Sequence, residues 1–166
     1  DLFRQRTTEL DIETYVHASF LINLGSPTKS TYENSLSATA YSLRRGREIG
    51  SKGVVVHTGS AVDESHISQA WKQIHEGVMP ILNNLKDDDP WLLLEPTAGQ
   101  GQSLVKKLDD LTMYFEGELL NVVKLPTIII LPSDWSAISL TKPFNSVFKL
   151  NVESRVLSRL ILVIFE

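Results

Sequence analysis

The most informative absence from this sequence of 166 residues is that of cysteine. Without cysteine the chain has no disulfide bond, no thiolate zinc site and no cysteine nucleophile, so histidine and the carboxylates are its only strong metal ligands. An excess of basic residues is also missing, because the formal net charge is −4. A protein of this charge does not coat nucleic acid through its overall field, and any nucleic-acid role must rest on a local site.

Long hydrophobic runs are absent as well. The first residues show no charged segment followed by an apolar core, and no uncharged run reaches the roughly 18 residues that a transmembrane helix needs. We therefore expect a cytoplasmic protein with no membrane contact. With 42% hydrophobic and 22% charged residues, the chain can bury one ordinary core. It begins with Asp1 and not with Met, so we expect it to start within a longer reading frame.

Three short apolar runs predict buried β-strands, with helical periodicity after each of them. "TYVHASF" predicts a strand that ends near His17, "GVVVH" predicts a second strand, and "WLLLE" predicts a third. The order βαβαβα predicts a parallel sheet with right-handed crossovers, either an open doubly wound sheet or part of a (β/α)8 barrel. The residues at helical spacing are Tyr32, Leu36, Ala40 and Leu43, then Ile67, Trp71, Ile74, Val78, Ile81 and Leu85, then Leu104, Leu108, Leu111 and Phe115.

Local signals give the expected ends of these elements. Ser30 and Glu33 have the S-x-x-E spacing of a capping box, and Gly50 should end the first long helix. "KDDD" at residues 86–89 predicts a solvated turn before the third strand. His75 has no partner motif, which favours an ordinary histidine on a helix face.

Each predicted strand ends on a residue type that binds metal ions, namely His17, His57 and Glu95. These residues are roughly 40 positions apart, about the length of one βα unit. The carboxyl ends of parallel strands share one edge, so neighbouring strands would present the three side chains side by side. Two imidazoles and a carboxylate are a donor set for a divalent metal, most naturally zinc. A single buried histidine would be an ordinary core residue, but three such strand ends predict a metal site.

Three blocks carry a resemblance to a known family: "YVHASFLINLGSP", "LRRGREIGSKGVVVHTGS" and "PWLLLEPTAGQGQSL". They resemble consecutive blocks of the endonuclease IV family of AP endonucleases, over roughly residues 10–117. The resemblance implies a (β/α)8 TIM barrel, here a partial α/β barrel domain over residues 1–117. It also implies zinc-dependent hydrolysis of the phosphodiester bond 5′ to abasic sites in double-stranded DNA, during base-excision repair. His17, His57 and Glu95 match zinc ligands, and Glu95 matches the catalytic glutamate that bridges two of the family's three zinc ions.

The resemblance also implies a DNA contact just after the first histidine. Phe20 and Leu21 match the aromatic and aliphatic side chains that the family inserts into the minor groove, although the aromatic residue is commonly tyrosine there. Such a wedge costs least where a base is already missing, so it selects for damage. Ordinary packing at a strand exit is the alternative for both residues. Asn23 completes the expected DNA-binding set, although the commonest use of asparagine in a turn is to hydrogen-bond the loop backbone.

The resemblance stops near Gly117. The family's later D-T-x-H block and its further ligands are missing from residues 118–166, so only one complete zinc ligand set is visible. We expect these residues to be a divergent tail that follows a frameshift, and cleavage by this monomeric chain to be weak or absent. In the tail, "TIII" and "RLILVIF" are typical of strands and of aggregation-prone segments alike.

Two other functions stay open. A metal-dependent sugar isomerase or epimerase on a related barrel also places histidine and glutamate at strand ends. Such an enzyme needs a second carboxylate or a lysine for proton transfer, and no such residue is visible at a predicted strand end. The second alternative is a remnant without catalytic activity that binds one metal ion.

Overall fold

The computed structural model describes residues 2–96, 101–106, 110, 113, 129–131 and 162–164. A short 3-10 helix, Glu64–His66, leads directly into the third helix. The helices and strands of the described residues are α1 (Leu2–Glu9), β1 (Tyr15–His17), α2 (Lys29–Ile49), β2 (Gly53–His57), α3 (Ile67–Asn83), β3 (Trp91–Glu95), β4 (Ile129–Leu131) and β5 (Leu162–Ile164).

The strands form one sheet in which spatial order follows chain order, from β1 to β5. Each neighbouring pair is parallel, and the register sets His17 opposite Val55 and His57 opposite Glu95. A doubly wound sheet reverses its strand order at a switch point, whereas a barrel wall adds each strand beside the preceding one. The predicted parallel α/β sheet is therefore confirmed, and its order is that of a partial barrel.

The core lies on both faces of β2 and β3. Val54, Val56, Leu92 and Leu94 pack on the side that carries α2 and α3. Val55 and Leu93 form a second cluster, with Trp91 packed against it. Successive side chains of a strand point to opposite faces, so the unbroken apolar runs in the sequence supply both clusters.

The first long helix begins earlier than its sequence signal indicates. Its N-cap is Thr28, and no side-chain hydrogen bond caps it, so the capping box predicted from Ser30 and Glu33 is wrong. The Thr28 N–H is bound to the hydroxyl of Ser26 at 3.1 Å, which turns the chain into the helix before residue 30 is reached. The predicted end is confirmed, because Gly50 closes the helix with a left-handed φ of 76°.

The "KDDD" turn is solvated only in part. Asp89 is buried, and its carboxylate lies 3.2 Å from the guanidinium of Arg47 on α2. It also accepts a hydrogen bond of 2.8 Å from the N–H of Lys86. The prediction of a solvated turn is therefore wrong for Asp89, because β3 starts at Trp91 and brings this end of the turn against α2.

Several predictions lie at or beyond the limits of the described residues. Leu104 is buried in a bend and its N–H donates to Gly59, so the predicted helix does not begin there. Leu108, Leu111 and Phe115 lie outside the described residues.

Strand β4 overlaps the end of "TIII" and β5 lies within "RLILVIF", which agrees with the strand interpretation of both segments; the rest of residues 118–166 is not described. No sequence signal indicates α1, none of whose residues is buried. Among the described residues, no helix is long and apolar enough to cross a membrane.

Candidate metal centre at the strand ends

The three predicted ligands meet at the carboxyl edge of the sheet. His17 ends β1, His57 ends β2 and Glu95 ends β3. Val55 and Leu93 each lie two positions before a ligand, so the alternation of side chains puts the ligands on their face, away from the helices. The three side chains therefore lie together at one edge of the sheet, and their role as metal ligands stays a prediction.

One carboxylate oxygen lies between the two imidazoles. Glu95 Oε2 is 2.9 Å from His17 Nε2 and 3.2 Å from His57 Nε2. One ligand atom from each residue can be chosen so that all three lie within 4.8 Å of one another. Ligand atoms around a tetrahedral zinc ion are about 3.3–3.6 Å apart, given bonds of about 2.0–2.2 Å. The donor set therefore suits a divalent metal ion, and the three side chains are close enough to share one.

The ring of His17 is fixed by its second nitrogen. Nδ1 lies 2.8 Å from the carbonyl oxygen of Ala18. A carbonyl only accepts hydrogen bonds, so Nδ1 carries a hydrogen and donates it, which leaves Nε2 facing Glu95. Histidines that bind metals are commonly oriented by such a bond to the backbone. His17 is thus held ready as a ligand before any ion arrives.

The electrostatics keep the glutamate ionised. Contact with His57 lowers the pKa of Glu95, burial opposes this, and the hydrogen bond from His17 lowers the pKa further. Burial disfavours the charged form of His17, but the Ala18 carbonyl and Glu95 outweigh it and raise the His17 pKa. Glu95 is a carboxylate at neutral pH, and a cation bound at Nε2 of His17 would take the place of the proton there.

A side-chain amide joins the first two loops of this edge. The Oδ1 atom of Asn23 accepts hydrogen bonds from Gly25 at 3.1 Å and from Ser60 at 2.9 Å. Gly59, with φ of 90°, lets the β2–α3 loop approach, since a Cβ there would lie 3.2 Å from the same oxygen. Asn23 therefore fixes the β1–α2 loop to the β2–α3 loop, the use of asparagine that its place in a turn indicates. A DNA contact by Asn23 stays a prediction.

The segment after β3 is joined to the same loops through the backbone. Ser60 and Ser103 form an antiparallel bridge, and the N–H of Ala61 donates to Gln102 at 2.9 Å. The N–H of Leu104 donates to Gly59 at 3.0 Å. The three loops that follow the three ligands are therefore held together, and the ligand geometry is fixed by the loops as well as by the sheet.

Phe20 and Leu21 project from the β1–α2 loop beside the ligands. Phe20 is 79% exposed and Leu21 is 83% exposed, so packing in the core does not account for either side chain. The ring of Phe20 meets the imidazole of His57 edge to face, with ring centroids 5.5 Å apart. An exposed aromatic ring thus contacts a candidate metal ligand, and the predicted DNA contact has side chains free to make it.

Sequence reasoning did not identify Gln73 as part of this edge. Its side-chain amide reaches from α3 to the β1–α2 loop and donates to the carbonyls of Leu24 at 3.1 Å and Ser26 at 2.8 Å. No local pattern could have revealed the link, because it joins residues far apart in the chain. His75, by contrast, lies on α3 as expected and contacts the Met113 carbonyl at 2.7 Å. In the part of the chain that the structure describes, His17, His57 and Glu95 are the one group of three such side chains able to share an ion.

Comparison with known proteins gives consistent matches. The model of a family described as xylose isomerase-like TIM barrel matches residues 1–118. A probable endonuclease 4 of Streptomyces avermitilis is 52% identical over 115 residues, which are 69% of this chain and 37% of the relative. A probable endonuclease 4 of Streptomyces coelicolor is 50% identical over 117 residues, 70% of this chain and 40% of the relative. The chain thus spans well under half the length of these curated relatives.

Solved structures agree on the fold. The crystal structure of endonuclease IV from Thermus thermophilus matches 78% of this chain and 43% of that chain, with a TM-score of 0.59 and 27% identity. A 3-keto-D-glucoside 4-epimerase from E. coli matches 82% of this chain and 54% of that chain, with a TM-score of 0.63. The epimerase is 15% identical, so that likeness concerns the fold alone.

Proposed function

The chain belongs to the xylose isomerase-like TIM-barrel family, and on that premise we propose that it is part of a zinc-dependent AP endonuclease of base-excision repair. The reaction is hydrolysis of the phosphodiester bond 5′ to an abasic site in double-stranded DNA. The observation that carries the proposal is the approach of His17 and His57 to one oxygen of Glu95, at 2.9 and 3.2 Å. Relatives named probable endonuclease 4 favour a nuclease over a sugar-converting enzyme.

The candidate zinc ligands are His17, His57 and Glu95. Their nitrogen and oxygen donors suit zinc, and the His17 side chain is half exposed, so the site is open to a substrate on that side. A zinc ion held there would act as a Lewis acid toward a phosphate oxygen and would activate water for attack. The protein contributes an ionised Glu95 and a His17 ring whose orientation is fixed by Ala18.

The exposed side chains of Phe20 and Leu21, next to the candidate ligands, recognise the damaged site. Phe20 and Leu21 insert between base steps, at a cost that is lowest where a base is missing. The hydrogen bonds of Asn23 to Gly25 and Ser60 hold the loop that presents them. The partner is therefore double-stranded DNA that contains an abasic site. The cytoplasmic location and the monomeric state expected from the sequence stay predictions.

Cleavage by the chain alone should be weak or absent. The described residues include one group of three side chains able to share an ion, and residues 118–166 contain no histidine. The chain also spans 37–40% of the length of its Streptomyces relatives. We therefore propose that the partial barrel domain, residues 1–117, keeps metal and DNA binding, and that residues 118–166 form a divergent tail.

A metal titration tests the site. The purified chain is stripped with a chelator, dialysed, and titrated with zinc against a chromophoric competitor. We expect about one zinc ion per chain, and at least a roughly 100-fold weaker affinity for His57→Ala, since even residues behind the ligands change affinity by about 10–100-fold. His75→Ala, which removes a histidine of α3 outside the site, should bind zinc as the parent does. Equal affinities for the parent and His57→Ala would refute the proposed site.

A DNA assay tests the recognition. Binding of zinc-loaded chain to a duplex with one abasic analogue is compared with binding to the intact duplex, and nicking is followed on a gel. Preference for the abasic duplex, lost in a Phe20→Ala, Leu21→Ala double variant, is the expected result. Equal binding to both duplexes would contradict the proposed partner. Nicking as fast as by a full-length relative would contradict the weak activity.

A further inference from the structure

The β2–α3 loop contains a valine in a backbone conformation that valine avoids. Val62 has φ of 66°, and the N–H of Asp63 donates to the carbonyl of Ala61 at 2.7 Å. A hydrogen bond that encloses one residue of positive φ defines the strained form of the γ-turn. Positive φ is a genuine outlier for a β-branched residue, whereas glycine and asparagine tolerate it. The side chain of Val62 is 63% exposed, so no core packing requires a valine here.

Both sides of the turn are fixed by hydrogen bonds. Ala61 is fully buried and is bound to Gln102 at 2.9 Å, while the N–H of Val62 donates to the hydroxyl of Ser60 at 3.1 Å. On the far side, the carboxylate of Asp63 caps the 3-10 helix by accepting the N–H of Ser65 at 2.8 Å. A strained residue persists only where its surroundings determine it, and such residues are concentrated at binding and catalytic sites.

The turn lies at the edge of the sheet that carries the candidate metal ligands. Val62 is two residues after Ser60, whose N–H is bound to Asn23 at 2.9 Å. Leu21 is two residues before Asn23 on the other loop. The hydrogen bond from Ser60 to Asn23 thus has exposed apolar side chains close to it in sequence on both loops: Val62 on the β2–α3 loop, and Phe20 and Leu21 on the β1–α2 loop.

We propose that Val62 is a third apolar DNA contact, and that it packs against the sugar of the nucleotide that lacks a base. This inference rests on the proposed function and adds a specificity-determining residue to it. A deoxyribose without its base exposes carbon-bound hydrogens that a stacked nucleotide covers. A short branched side chain covers such a surface, and a flat aromatic ring suits a gap between base pairs. The fixed turn gives up little conformational freedom when DNA binds, which favours affinity.

The strain gives this proposal a test in which stability and affinity change in opposite directions. Val62→Gly and Val62→Asn accept positive φ, so we expect each to raise the melting temperature by about 2–4 °C. Both remove the apolar contact, so affinity for the abasic duplex should fall by about 3–10-fold, with affinity for intact duplex unchanged. Leu10→Ala is the matched control, because Leu10 is 57% exposed and precedes β1 at the other end of that strand. It should leave the affinity unchanged.

The outcomes separate this inference from the proposed function. If the parent chain does not distinguish abasic from intact duplex, both fail together. If the parent and the Phe20 and Leu21 variants behave as proposed but Val62→Gly binds abasic DNA like the parent, only the role of Val62 is refuted. Lower stability of both Val62 variants would show that the turn stores no strain, and would also overturn the inference.

Discussion

Replacing Asn23 by alanine should loosen the carboxyl edge of the sheet without altering any candidate ligand. In the parent chain Asn23 Oδ1 accepts two backbone hydrogen bonds, from Gly25 at 3.1 Å and from Ser60 at 2.9 Å. Alanine offers no acceptor, so both N–H groups lose their partner. The substitution therefore measures how much the junction of the two loops contributes to the free energy of unfolding.

The magnitude depends on how far water can replace the lost acceptor. An unsatisfied buried donor costs about 1–3 kcal/mol. Gly25 is buried, whereas Ser60 is half-buried and water can reach it in part. We therefore expect Asn23→Ala to lower the free energy of unfolding by about 2–4 kcal/mol. For a chain of this size, about 2–4 °C of melting temperature accompanies each kcal/mol, so the melting temperature should fall by roughly 5–15 °C.

Urea unfolding followed by circular dichroism measures the change, with thermal melts as a second readout. Asn34→Ala is the control, because Asn34 is exposed on α2 and alanine favours a helix there. Asn23→Asp keeps an oxygen acceptor and should retain most of the stability. If Asn23→Ala unfolds within about 0.5 kcal/mol of the parent, the range of ordinary surface substitutions, the loops are not joined as described.

Two further substitutions test the packing and the electrostatics. Gly53→Ala would place a Cβ 2.6 Å from Leu93 Cδ1 in the buried sheet. It should therefore lower the free energy of unfolding, measured with urea, by about 1–3 kcal/mol. An unchanged unfolding midpoint would contradict that packing. Hydrogen bonds from Ser65 lower the pKa of Asp63 in the folded chain. Asp63 therefore stabilises the fold at pH values above the pKa that it has in the unfolded chain. This contribution is lost as the pH falls through its lower pKa in the folded chain. Asp63→Ala should destabilise the chain at pH 7 and make little difference near about pH 2, and an effect independent of pH would refute the role of the charge.

The strands of this fold were predictable because their physical requirement is local. A parallel strand covered on both faces needs an unbroken apolar run, and residues 54–56 and 92–94 are such runs. The first residues of the helices were harder to predict from the sequence. Thr28 and Ser30 are both good N-cap residues, and a hydrogen bond to Ser26 decides between them. Helix α1 buries no side chain, so it produced no amphipathic pattern to detect.

The candidate ligands were predictable for a related reason, since parallel strands bring their carboxyl ends to one edge. The positions of His57 and Glu95 at the ends of successive strands were then enough to predict that they lie side by side, and the register sets them opposite each other. The parts that support the ligands had no such signature. The hydrogen bond from Gln73 to Leu24 and the one from Ala61 to Gln102, which fixes one side of the turn at Val62, each join residues distant in sequence. A single hydrogen bond between distant residues produces no periodic pattern in the sequence from which it could be predicted.

A cation bound by His17, His57 and Glu95 would connect three successive βα units, because these residues end β1, β2 and β3. Ligands that bind only the folded state stabilise it by mass action, by about 2.7 kcal/mol when free ligand exceeds the dissociation constant a hundredfold. Because the donors come from separate units, partial unfolding of any one of them would release the ion. The concentration of the free ion would then set the fraction of the chain that is folded, independently of any activity that the folded chain has.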